Sequence, residues 1–163
     1  MKKLIYTLLA VSIVFASCND EDEIIAPVAP SIVGVWTPTS ISVISSFEVV
    51  AMGEIINSFD TSYTMTPTDE EWDFPAKIEF TNTGTGITTN KDGEIETDSY
   101  TTSGNSLTIT NSDDEETNTF TYTVTTTDLV LTQSVTETQT VDLNGQEATI
   151  TNSNESTFSF TRQ

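Results

Sequence analysis

The sequence contains no histidine. Ser-His-Asp and Cys-His arrangements are therefore excluded, and so is an imidazole ligand for zinc. A single cysteine, Cys18, leaves no disulfide to close within the chain. Basic residues are scarce: five against 25 acidic ones in 163, a formal charge of −20. Phosphate binding needs clustered Lys and Arg, so nucleic acid is not an expected partner. An acidic body is also repelled by anionic lipid headgroups and should stand off a membrane surface. The length suits one domain plus a tail, and is sufficient to bury a sizeable core.

What is present begins with a leader. Met1-Lys2-Lys3 is a short positive segment, and the mostly apolar stretch from Leu4 to Ala16 has the build of a secretory signal. It is shorter than the roughly 20 residues a bilayer-crossing helix needs. Phe15-Ala16-Ser17-Cys18 resembles the bacterial lipobox, with Phe15 where Leu or Val is usual. The resemblance implies that residues 1–17 are removed and that Cys18 is acylated, with palmitate-like chains anchoring the protein in the outer membrane. Each buried methylene contributes about 0.8 kcal/mol to such an anchor. The alternative is an ordinary signal peptide with a stray cysteine. Asn19-Asp20-Glu21-Asp22-Glu23 resembles the export signal of cell-surface lipoproteins in Bacteroidetes-type bacteria; a solvated spacer is the plainer reading. Loss of Lys2 and Lys3 makes the mature charge −22, three basic minus 25 acidic residues. Ala26-Pro27-Val28-Ala29-Pro30 is extended by composition, so residues 18–31 read as a lipidated acidic and Pro-rich tether.

From residue 32 to 163 the chain reads as strands. Threonine alternates with apolar residues after Trp36, and β-branched residues on a period of two suit a pleated, half-buried surface. A mucin-like stalk is the other reading of a Thr-rich run, but proline is nearly absent after Pro75 and the apolar period persists. Asn144-Gly145 is a strong two-residue hairpin signal, because a type I′ loop needs positive φ at both positions. Its register places Val141 opposite Ala148, Leu131 opposite Phe158 and Leu129 opposite Phe160, and leaves Arg162 just past the last strand. Further reversals are expected at Lys91 to Glu94, at Gly104-Asn105, at Asp113 to Glu116 and at Thr125 to Asp128. Gly104-Asn105 sets Tyr100 against Ile109 and Thr102 against Leu107. A turn at Asp113 to Glu116 sets Ile109 against Phe120 and Leu107 against Tyr122.

Residues 46–59 read in two ways. Phe47, Val50, Ala51, Ile55, Ser58 and Phe59 fit helical spacing, and Ser45 to Glu48 fits a capping box. Six β-branched residues from Val43 to Ile56, and Gly53, favour a hairpin turning at Met52-Gly53 instead. Thr66 to Pro75 is a loop, Ala76 to Phe80 a strand, and Thr83-Gly84-Thr85-Gly86 a bulge or turn. The sum is an all-β, antiparallel up-and-down meander of about eight or more strands, which removes its exposed edges by closing into a barrel.

Ile32-Val33-Gly34-Val35-Trp36 resembles the Gly-x-Trp opening of the lipocalins and of lipocalin-like lipoproteins of Bacteroidetes-type bacteria. Tyr100, Gly104-Asn105, Leu107 and Ile109, with the ending Phe158-x-Phe160-Thr161-Arg162, are similar to the same group. The resemblance implies a lipocalin-like barrel over 32–163, with Gly34, Trp36 and Arg162 as its structural signature. The arginine would pack across the tryptophan as a cation–π contact. Unlike typical lipocalins, the chain has no disulfide and carries a long polar segment between Trp36 and Trp72.

For ligand binding, the candidates are Tyr63 and Trp72 near one barrel end, and Tyr100, Phe120, Tyr122, Leu131 and Phe158 pointing inward. The alternative is that Tyr63 and Trp72 are lid or core packing and that the barrel is filled by its own side chains. Asp69-Glu70-Glu71 and Asp113 to Glu116 are the densest carboxylate runs; both lie in loops, where charge is ordinarily solvated, and neither has the spacing of a calcium loop. No catalytic residue, metal or cofactor is expected. Two functions follow. One is a membrane-anchored, cell-surface lipocalin-like barrel holding a small hydrophobic or sugar-like ligand, with a cavity of several hundred Å³ by the usual size of such sites. The other is a filled barrel acting as a structural or accessory interaction subunit.

Overall fold

The computed structural model describes residues 30–163. Cys18, the leader 1–17 and the tether up to residue 29 lie outside the described residues. Nine antiparallel strands form one sheet: β1 (Gly34–Ala51), β2 (Glu54–Met65), β3 (Lys77–Phe80), β4 (Thr85–Thr89), β5 (Ile95–Ser103), β6 (Ser106–Thr110), β7 (Thr117–Val124), β8 (Asp128–Asp142) and β9 (Glu147–Arg162). β3 to β9 are a continuous meander, and β9 pairs back onto β1 from Trp36–Arg162 to Ala51–Ala148. The hydrogen-bonded ring therefore closes, but not every edge is removed: β2 stands at the end of the sheet with one side unpaired among the described residues.

Closure runs through β1, which is long enough to serve two neighbours on one edge. Its first residues, Gly34 to Trp36, pair with β3. Its later ones, Ile41 to Ala51, pair with β2. The meander thus branches at its start: β2 lies beyond the ring, and the loop 66–76 carries the chain back to β3. Pro38 explains a local irregularity. It sits within β1, cannot donate to the ladder, and is followed by a register shift before Ser40.

The segment 46–59 is a hairpin, not a helix. Met52 and Gly53 both have positive φ, 54° and 80°, the geometry of a type I′ turn. Asn144 and Gly145 do the same at 58° and 85°, and all three register pairs expected from them are present. The Gly104-Asn105 reversal sets both expected pairs, and the reversal at Thr125 to Asp128 brings Val124 opposite Leu129. One register differs. Leu107 pairs with Phe120 and Ile109 with Asn118, two residues from the expected alignment. The turn begins earlier than the carboxylates indicate: Asn111 N–H donates to Glu116 O at 2.9 Å, and Asn111 Oδ1 accepts from Asp113 N–H at 2.8 Å. A shift of two keeps every side chain on its face, so hydrophobic patterning cannot distinguish the two alignments.

Ile32, Trp36, Phe80, Tyr100, Leu107, Leu129, Leu131 and Phe160 form the buried cluster inside the ring. Above it, β1 with β2 and β8 with β9 extend together as a four-stranded blade, ordered β2-β1-β9-β8. Hydroxyls knit its strands: Ser42 with Thr64 at 2.8 Å, Thr136 with Ser153 at 3.0 Å, and Ser45 with Asn154 at 2.7 Å. Such cross-strand pairs each contribute roughly 0.2–1 kcal/mol.

Candidate functional site

At the base of the ring the two chain ends meet. Arg162 stands opposite Trp36 in the β1–β9 ladder, and its Cζ lies 4.2 Å from the indole centroid. The guanidinium also donates to three backbone carbonyls: Nε to Thr126 at 3.0 Å, Nη1 to Val33 at 2.9 Å and Nη2 to Ser31 at 2.7 Å. Trp36 is fully buried, with Nε1–H donating to Ile32 O at 2.7 Å. Gly34 has φ +146°, and a Cβ there would collide with Arg162 Nη1. The Gly-x-Trp spacing thus has a local cause: glycine admits the guanidinium, and the tryptophan two residues on receives it from the interior side.

At the other end of the ring, where the blade begins, the loop 66–76 folds inward. Asp69 organises it, accepting from the Thr66 hydroxyl at 3.0 Å, while its backbone carbonyl accepts from Trp72 N–H at 3.1 Å. Trp72 is buried, and Lys91 Nζ donates to its carbonyl. Phe74 meets Trp72 edge-on at 5.8 Å, stacks on Phe158 at 5.4 Å and approaches Phe160 at 6.1 Å. Phe158 in turn meets Phe120 at 6.0 Å. The loop is a plug whose aromatics continue the ring's own core.

The seven candidate residues are divided by this arrangement. Tyr100 and Leu131 belong to the buried cluster, with Phe120, Tyr122 and Phe158 packed against it and only half-buried. Trp72 is in the plug. Tyr63 stands apart on β2, 52 % exposed. Tyr100 donates its hydroxyl to Thr81 O at 2.6 Å and meets Phe80 edge-on at 5.0 Å. Burial, and secondarily the neighbouring Tyr122, push its pKa above the ordinary tyrosine value.

Sequence reasoning missed two things. Phe74 was hidden in a proline-containing loop, although an aromatic two residues after Trp72 has the alternation of an inward-facing pair. The blade was missed because strand length beyond the ring leaves no mark in a period of two. Its edge strand β2 is exposed from Glu54 to Thr64 and carries Ile55, Ile56, Phe59 and Tyr63, each more than half exposed. Phe59 touches Phe47 of β1 at 5.6 Å between ring centroids. Where β2 meets the loop, Tyr63, Thr64, Met65, Asp69, Glu70 and Glu71 line an open pocket of about 670 Å³. Among the described residues, no three or more carboxylates converge in a way that could hold a metal ion. The run Asp113 to Glu116 forms the β6–β7 turn, and Asp114 Oδ1 accepts from Glu116 N–H at 3.0 Å.

Comparison with known proteins, by family model, by curated sequence and by solved structure, finds no match. The functional reading therefore rests on the geometry of this chain.

Proposed function

We propose that this chain is a lipid-anchored, probe-like surface lipoprotein of lipocalin-like build, in which the ring is a filled pedestal and the blade is the interacting part. The observation that carries the reading is the plug: Phe74 stacked on Phe158 occupies the mouth through which a ligand would enter a lipocalin-like interior. Side chains alone suffice to fill a ring of about eight strands. The arrangement also suits a tether. The described chain begins at the Trp36–Arg162 end, while β1 runs 18 residues to the far tip. At about 3.3 Å per residue the tip stands up to about 60 Å from the first strand residue. An acidic body carried in this way projects its blade away from the bilayer.

A second reading, a barrel that holds a small hydrophobic or sugar-like ligand, draws on Phe120, Tyr122 and Phe158 being only half-buried at the rim of the plug. A ligand would have to displace Phe74 to reach them. Native mass spectrometry of the protein from its own cells separates the two. The filled pedestal predicts the mass of the acylated chain alone; a co-purified small molecule overturns it in favour of the second reading. Replacing Cys18 with serine should abolish lipid labelling and release the protein from membranes, and persistent labelling would remove the anchor from the proposal.

A further inference from the structure

We infer that the open edge of β2 takes up an extended, cationic segment of a partner protein, which adds to the blade as a fifth strand. This deepens the reading of the blade as the interacting part. Among the described residues β2 pairs with β1 and with nothing else, and none of its backbone groups bonds to a loop or turn. Such an edge is a template for another strand, and proteins usually blunt it with charge, above all lysine, with proline, with a bulge or by brevity. β2 has 12 residues and neither lysine nor proline, and its only charges are Glu54 and Asp60, which an acidic strand would meet but a basic one would pair with. Its one register shift lies near the tip, opposite Val49 and Val50, which leaves the stretch from Asn57 to Met65 regular. Main-chain bonds along such an edge supply affinity, and pockets for alternate side chains supply specificity.

Charge selects the occupant. From Met52 to Ala76 the chain has Glu54, Asp60, Asp69, Glu70, Glu71 and Asp73 and no basic residue. A second copy would bring its own Glu54 and Asp60 to the shared edge, with the four carboxylates of its loop 66–76 just beyond. The chain's own tether brings the acidic run 20–23. A strand with lysine or arginine among its side chains is attracted to this edge where both of those are repelled. The pocket lined by Tyr63 and Asp69 to Glu71 lies at the end of the strand and has room for a long basic side chain, beside one aromatic residue and three carboxylates. Ile55, Phe59 and Tyr63 offer apolar contact to the residues between.

The test uses the full chain and a synthetic peptide of alternating valine and lysine, as long as β2, with its valine–glutamate counterpart as control. The lysine peptide should bind, the glutamate peptide should not, and amide exchange should slow along β2. The double substitution Asp60→Lys with Ser62→Lys places two gatekeeper charges on exposed positions, and should weaken binding at least about tenfold without changing the melting temperature. Binding that survives this substitution, or protection that appears on β8 in place of β2, overturns the inference, as does absence of binding. Sedimentation of the chain alone as a dimer that the same substitution dissociates would make a second copy the occupant and also overturn it. None of these readouts depends on the anchor or on the ring interior, so a ligand found by mass spectrometry would leave this result standing on its own.

Discussion

Arg162 lies over Trp36 while donating to the carbonyls of Ser31, Val33 and Thr126, so one side chain fastens the first strand, the last strand and the β7–β8 turn together. The β1–β9 ladder closes the ring along its length, and this pair fastens the end of it where both chain segments meet. Trp36→Ala should cost about 3–5 kcal/mol, as for other buried large aromatics. Arg162→Ala should cost about 2–3 kcal/mol, because charged hydrogen bonds contribute roughly 1.5–3 kcal/mol each but these carbonyls can rebond to water. Arg162→Lys should recover less than half of that loss, since an ammonium cannot reproduce the guanidinium fork. Urea denaturation of the three variants checks the order; equal stability of the Lys and Arg forms would show that the fork is unimportant.

Gly34 is tied to the same contact. An alanine there meets Arg162 Nη1 and must also adopt φ near +146°. Backbone strain of this kind costs about 1–3 kcal/mol. The steric part disappears when the guanidinium is removed. Gly34→Ala in an Arg162→Ala background should therefore cost less than Gly34→Ala alone, and a double-mutant cycle by denaturation measures the difference. Strict additivity would mean that the two residues do not interact.

Much of the ring was legible because its signals are local. Asn144-Gly145 fixed a register that propagates without slip to Leu129–Phe160, and Gly-x-Trp with a terminal arginine located the seam. The β6–β7 register was not legible, since four successive carboxylates mark a turn without marking its centre, and asparagine at 111 decides it by accepting from Asp113. The blade and plug were illegible for a different reason. Whether Phe59 faces a core or solvent depends on what packs over β2, and beside Phe47 of the neighbouring strand it stays more than half exposed. Phe74 has a place inside the ring only because β1 is shared between β2 and β3, a feature of topology that no short window of sequence carries.

Tyr100 gives the fold a pH dependence at the alkaline end. Its folded pKa is raised, chiefly by burial and then by Tyr122, above the ordinary value of about 10. Between the two values the unfolded chain has released the proton and the folded chain still holds it. Unfolding is then favoured as pH rises, so the stability is fully present below about pH 10 and is lost progressively above it. Tyr100→Phe removes the hydrogen bond to Thr81 and should cost about 1 kcal/mol at neutral pH. Its stability should fall less steeply above pH 10, so that the two curves converge. Parallel curves would assign the alkaline loss to other groups.

Phe74→Ala tests whether the plug fills the ring or only covers it. The phenyl ring touches Trp72, Phe158 and Phe160 within 6.1 Å between centroids, and all of those contacts go at once. Truncating a partly buried phenylalanine should cost about 2–4 kcal/mol, near the low end of the range for full burial. The vacated space is bordered by the rings of Trp72, Phe158 and Phe160, and an apolar cavity of that kind stays dry and admits small apolar molecules. The variant should therefore bind a hydrophobic fluorescent dye that the parent excludes, with protection from quenching by added iodide. A stability loss without dye binding would mean that Trp72 swings into the gap and that the loop repacks. Dye binding without a stability loss would mean that Phe74 only covers an opening that already exists beneath it, and the pedestal would then have to be counted as a container.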